Sequence, residues 1–114
     1  MFPYERNWFR QGGLLEDSLA HLDPLWQQVR QAAPASPEQL LRAREAAAML
    51  ATSRWMYRSA LARTETRGMH RREDHPALDP NQRHRLISGG LDELWTTRES
   101  LGPVDLSLLP EKAA

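Results

Sequence analysis

From Glu38 to Arg67 the chain contains neither proline nor glycine, a run of thirty residues in a chain of 114. Nothing else in the sequence constrains the fold as tightly. Ser36-Pro37-Glu38-Gln39 reads as a helix start: Ser36 caps, Pro37 fits the first helical position, and Gln39 completes a capping box. The pattern predicts a helix over 37–67, about 31 residues or roughly 46 Å at 1.5 Å per residue. Ala43, Ala46, Ala47, Ala48 and Ala51 suit close approach of a neighbouring helix. Leu40, Ala43, Ala47, Leu50, Tyr57 and Leu61 trace a buried stripe, which Arg54 interrupts. Met49, Met56 and Ala60 widen it, so the helix calls for neighbours on more than one side. Glu38 and Arg42 form a favourable i,i+4 pair.

A second helical pattern precedes it. Leu15, Leu19, Leu22, Trp26 and Val29 recur at spacings of 4, 3, 4 and 3, which marks one buried face. This helix is expected to begin after Gly12-Gly13, with Glu16 and Asp17 in its first turn, where acidic groups complement the helix dipole. Pro24 lies inside the pattern and removes one hydrogen bond. Because the apolar register continues past it, one kinked helix is expected; a fresh start with Asp23 as N-cap is the alternative. Ala32–Pro37 links the two helices.

Met1–Gly13 carries Phe2, Tyr4, Trp8 and Phe9 and reads as an irregular aromatic arm. Beyond Pro76, Asp79-Pro80 is suited to a short helix. Arg83–Ser88 and Leu91–Thr97 flank Gly89-Gly90 as the strands of a β-hairpin. Val104, Leu106, Leu108 and Leu109 form an extended apolar tail expected to lie along a groove. The expected fold is mainly α: one domain over 1–114, with an arm over 1–13, a helical core over 14–76, and a hairpin and tail over 77–114. Two helices leave apolar faces incompletely covered. A third helical segment, self-association or a partner is needed to cover them.

Composition narrows the function classes. Net charge is zero, so the whole chain exerts no long-range pull on nucleic acid or an anionic membrane. Fourteen of the fifteen basic residues are Arg, the exception being Lys112. Arg is favoured in planar pairing with carboxylate or phosphate and at interfaces, although base composition of the gene raises Arg over Lys as well. The absence of cysteine excludes disulfides and thiolate metal sites. No apolar run approaches the roughly 20 residues needed to span a bilayer. The first residues lack an apolar signal core. A cytoplasmic location without membrane insertion is expected.

The charged stretch Arg63–Pro76, RTETRGMHRREDHP, is the candidate functional element. Seven of its fourteen residues are charged, and it falls where the long helical pattern meets Gly68. His70, Asp74 and His75 are metal-ligand types, but their spacing matches no helical zinc motif, so no metal is expected. Arg54, Arg58, Arg63, Arg67, Arg71 and Arg72 make a basic band without a recognised reader motif, opposed by Glu65, Glu73 and Asp74; no nucleic acid is expected. His70 with Asp74 has the composition of a base and its orienter, yet a charged turn at a helix end supplies the same pair. No phosphate-binding loop and no nucleophile beside a base are present. The stretch is a solvated corner or a docking surface.

This stretch resembles a helix-end motif in the C-terminal domain of the succinate dehydrogenase and fumarate reductase flavoproteins, to which L-aspartate oxidase and the adenylylsulfate reductase flavoprotein are related. Arg63, Glu65, Arg67, Gly68, His70, Arg72, Asp74 and Pro76 stand at the motif's distinctive positions, with Thr66 for a serine and Met69 for an alanine. Met69 in that place asks for more room beside the helix end. Asn7–Arg10 followed by Leu15–Trp26 is similar to the domain's opening helix, and Arg83–Pro110 resembles, more weakly, the hairpin and tail of some members. The resemblance implies a three-helix, spectrin-repeat-like bundle packed against an FAD-binding domain that has no counterpart in this chain. It further implies that Arg63, Glu65, Arg67, His70, Arg72 and Asp74 make an interdomain contact, with no catalytic or cofactor-binding residue here. FAD would belong to the parent oxidoreductase, and the chain by itself would be inactive. A free-standing protein-interaction module is the competing reading. A bundle deprived of its partner domain is also expected to self-associate through exposed apolar area.

Overall fold

A computed structural model of the chain describes residues 3–99. Its elements are α1 (Tyr4–Asn7), α2 (Gly12–Arg30), α3 (Pro37–Ala62), a 3-10 turn (Pro80–Gln82), β1 (Arg85–Gly89) and β2 (Trp95–Glu99). The described residues are mainly helical, with two long helices and an antiparallel hairpin. The expected tail, Val104–Pro110, lies outside the described residues.

The helices α2 and α3 run antiparallel. A short linker joins the end of one to the start of the other. At the opposite end the amide of Gly12, in the first turn of α2, meets a carboxylate whose Arg partner holds the last carbonyls of α3. Leu15, Leu19, Leu22 and Trp26 of α2 and Leu50, Ala51, Tyr57 and Ala60 of α3 form the core, with Val29, Ala47, Met56 and Leu61 against it. Burying one large apolar side chain contributes about 1.5–3 kcal/mol, so this seam holds the two helices together. The register that predicted α2 is the one it buries.

Pro24 lies within a single helix. Asp23 does not cap a second one, because its carboxylate accepts from Arg54 Nε at 2.7 Å. Arg54, the break in the apolar stripe, is buried, sits 5.3 Å from the Trp26 ring centroid and also donates to the Leu91 carbonyl. A buried cation thus ties α2, α3 and the hairpin loop together. The hairpin is fastened to α3 by Trp55 Nε1 donating to the Gly90 carbonyl at 2.7 Å and by a Ser59–Ser88 hydroxyl pair. Its register pairs Arg85 with Glu99, Ile87 with Thr97 and Gly89 with Trp95. Gly89 therefore closes β1, and the turn follows it instead of being centred on the two glycines.

Further expectations need correction. The arm is not wholly irregular: Tyr4–Asn7 is one helical turn, with Tyr4 and Trp8 stacked at 6.0 Å and still exposed. The helix α2 begins with the glycines instead of after them, and no acidic residue stands in its first turn. The helix α3 has 26 residues and stops at Ala62, because Arg63 is extended, with ψ at 99°. Finally, Leu40 and Met49 are exposed, and nothing in α3 before Leu50 is buried. The alanine-rich first half of α3 allows close approach but buries little area, and the hairpin packs on the second half.

Candidate functional site

The corner that follows α3 is built by three buried or half-buried charges. Arg72, 3% exposed, donates from Nη1 to the carbonyls of Ala60, Leu61 and Arg63 at 3.0, 3.1 and 3.2 Å. The last carbonyls of a helix lack intrahelical partners and carry the negative end of its dipole, so one guanidinium satisfies both needs. From Nε and Nη2 the same residue grips both oxygens of Asp74, at 2.8 and 2.7 Å. Asp74 Oδ2 in turn accepts from the amide of Gly12 at 3.0 Å, placing an anion at the positive end of α2. A Cβ on Gly12 would fall 2.9 Å from that oxygen and 3.0 Å from Arg72 Nη2. A larger residue there would push the ends of Asp74 and Arg72 aside.

Glu65 anchors the other side. It is fully buried, and its carboxylate accepts from Arg63 Nη1 (2.7 Å), Arg67 Nε (2.8 Å) and the Asp79 amide (2.8 Å). Hydrogen bonding to Arg67, with the Asp79 amide and Arg63 adding to it, lowers its pKa to about 2. The Arg72 guanidinium likewise holds Asp74 well below the usual carboxylate range. Arg63 donates onward to the carbonyls of Gln82 and His84, and Arg67 to that of Asp79, so the segment leading to β1 is tied to the end of α3. Thr66 Oγ1 bonds the backbone of Arg72 and His75.

Arg67 and His70 close a tight turn by reciprocal backbone bonds of 2.9 and 3.0 Å. Gly68 within it has φ +58°, a conformation that favours glycine. Met69 is 81% exposed and needs no room beside the helix end, contrary to expectation.

Arg10, which the sequence placed at the entry to the opening helix and not in the corner, completes the corner. Its backbone pairs with Arg71 and Glu73 (3.3 and 2.8 Å), and its Nη1 lies 2.7 Å from His70 Nδ1. A guanidinium only donates, so Nδ1 must accept. Nε2 therefore carries the ring proton, which it donates to the Arg63 carbonyl at 3.1 Å. Burial, with Arg10, Arg72 and Arg63 nearby, pushes the His70 pKa down. The imidazole is neutral with both nitrogens engaged.

The six residues singled out by the sequence thus separate into two groups. Arg72 and Asp74 fix the two helix ends, and the buried Glu65 holds Arg63, Arg67 and the Asp79 amide. Arg63, Arg67 and His70 line an open cleft of about 550 Å³ together with Arg10, His84 and Arg85, over Met56, Ala60 and Leu86. His70, Asp74 and His75 do not converge on a common point, and among the described residues no group of three or more His, Asp or Glu is arranged to hold a metal ion. Neither anionic carboxylate nor the committed imidazole is poised for proton transfer near neutral pH.

An antiparallel helical pair, closed by an ion-paired turn at the end of its longer helix and followed by a hairpin, is the class of domain these features define. The model of the fumarate reductase flavoprotein C-terminal family matches residues 5–101, and the chain belongs to that family. It is similar to an L-aspartate oxidase of Rhodospirillum rubrum, 43% identical over 79 residues, which are 69% of this chain and 24% of that protein. The chain therefore corresponds to about a quarter of its curated relative. Among the described residues no helix is long and apolar enough to cross a membrane.

Proposed function

We propose that this chain is the helical accessory domain of an FAD-dependent oxidoreductase of the kind that includes succinate dehydrogenase, fumarate reductase and L-aspartate oxidase, and that it docks on a flavin-binding domain through the Arg63–Pro76 corner. Together with α2, α3 and the hairpin, the corner belongs to one domain with a spectrin-repeat-like arrangement. The observation that carries this reading is the family match over residues 5–101, which takes in the helices and the whole corner. The geometry supports it. A turn rigidified by Glu65, Arg72 and Asp74 presents Arg63, Arg67 and His70 at fixed positions, the preorganisation that a specific contact needs.

Among the described residues, the helix N-terminus at Gly12 does not fit the phosphates of FAD. A glycine-opened helix N-terminus suits a phosphate, but the Gly12 amide that would serve is bonded to Asp74. A phosphate there would stand against a carboxylate. The flavin belongs to the partner domain, and this chain contributes support to that domain without a chemical step.

The test is to mix the purified chain with an FAD-loaded flavin-binding domain of its own flavoprotein, supplied as a separate polypeptide, and to follow both by size-exclusion chromatography with flavin absorbance. Co-elution is expected, together with no flavin retained by the chain when FAD is titrated into it by itself. Separate elution contradicts the docking role. A stoichiometrically yellow chain contradicts the placement of the cofactor.

A further inference from the structure

We propose that the cleft between the α3 end and β1 receives a carboxylate side chain from an acidic, apolar-flanked segment of the partner domain. This inference rests on the docking reading and names the chemistry of what docks. Three separate parts of the chain bring arginines to the cleft: Arg10 from the arm, Arg63 and Arg67 from the turn, and Arg85 from β1. Among the described residues no carboxylate lines it. The nearest buried acid, Glu65, stands behind Arg63 and Arg67 with its oxygens already taken by three donors. Glu99 pairs with Arg85 on the hairpin, where the Arg85 side chain is 69% exposed. Four guanidinium charges against these two carboxylates leave an excess of positive charge.

Donors remain for a ligand. Arg10 uses Nε and Nη1 within the fold, and Arg67 uses Nε and Nη2, which leaves a terminal nitrogen on each. Each remaining terminal nitrogen can donate one charge-assisted hydrogen bond, so Arg10 and Arg67 together can hold the two oxygens of a carboxylate. The floor argues for a peptide over a small hydrated anion: Met56, Ala60 and Leu86 offer apolar surface to the methylenes and neighbours of an acidic side chain. At about 550 Å³ the open cleft is larger than a single oxyanion needs.

Arg85 is the residue to change, since its exposed side chain holds no helix end. The full chain is titrated by heteronuclear NMR at low salt with an N-acetylated, C-amidated peptide, Ala-Leu-Glu-Glu-Leu-Ala. The parallel arms use the same peptide with both glutamates replaced by glutamine, and inorganic phosphate. The acidic peptide should shift Arg10, Met56, Arg67 and Leu86 resonances saturably, the glutamine peptide should not, and Arg85→Gln should weaken binding about fivefold with an unchanged folded spectrum. Equal binding of the glutamine peptide, saturation by phosphate as tight as by the peptide, or no saturable shift overturns the inference. Co-elution with the flavin-binding domain, combined with any of those three results, leaves docking standing and removes this cleft as its seat.

Discussion

Arg72 grips both carboxylate oxygens of Asp74, at 2.8 and 2.7 Å, and this pair joins the last turn of α3 to the first turn of α2. The cation meets the negative end of one helix, and the anion meets the positive end of the other. Two antiparallel helices are thereby locked at their open end, opposite the linker, by side chains only two positions apart in sequence.

Arg72→Ala strands three helix-end carbonyls and leaves Asp74 without its counter-ion. Removing one partner of a buried charged network costs about 3–5 kcal/mol, which a urea denaturation series would read as a lower midpoint at unchanged slope. Arg72→Lys should recover little of it, because a single ammonium cannot reach the carbonyls and both carboxylate oxygens together.

The two adjacent glycines should respond in opposite directions. Gly12→Ala places a methyl against Asp74 and Arg72, an overpacking expected to cost about 1–3 kcal/mol. At Gly13 nothing lies within 4 Å of an added Cβ, so Gly13→Ala is free to gain up to about 1 kcal/mol of helix stability. Thermal melts of the two variants provide the comparison. In the Asp74→Ala background the cost of Gly12→Ala should shrink, since the obstructing oxygen is gone.

Acid should destabilise the fold in two stages. His70, Glu65 and Asp74 all have lowered pKa values in the folded chain, so the unfolded chain binds more protons and stability rises with pH. The His70 contribution is complete above its ordinary value of 6.5 and is lost as pH falls below that. Glu65 follows between its ordinary 4.5 and about 2, and Asp74 in the same direction below 3.8. The unfolding midpoint measured from pH 8 to pH 3 should show both stages, and His70→Gln should remove the upper one while sparing the lower.

Met69→Ala should change stability by no more than about 0.5 kcal/mol, as expected for a surface position away from caps and charges. Its side chain projects from the Arg67–His70 turn into solvent. A calorimetric melt that moved substantially would place Met69 against the fold instead.

The helices were legible because periodicity is local. Leu15, Leu19, Leu22 and Trp26 announce one face, and Ser36-Pro37 announces a start that the structure reproduces, with the Gln39 amide donating to Ser36 Oγ. The end of α3 was not legible. It is set by Arg72, nine residues beyond Arg63, through contacts to Ala60, Leu61 and Arg63 that no local propensity encodes. Thr64 and Thr66, both β-branched, were the available hint. The start of α2 was obscured for the same reason: Gly12 is favoured there by a carboxylate sixty-two residues away. The place of Arg10 in the corner was missed because it comes from His70. Arg54 was visible as an anomaly in the apolar stripe, and Asp23 on the preceding helix was the partner to look for.

The most direct test of the docking account is hydrogen–deuterium exchange of the chain, free and in complex with its flavin-binding domain. A second exposed apolar region offers a real alternative: Leu40, Ala43 and Ala47 line a groove with Trp26 and Val29 near the interhelical linker, at the far end from the corner. Complex formation should slow exchange in residues 63–75 and along β1, with residues 37–47 unchanged. Protection confined to residues 37–47, with the corner exchanging as in the free chain, would contradict docking through the corner.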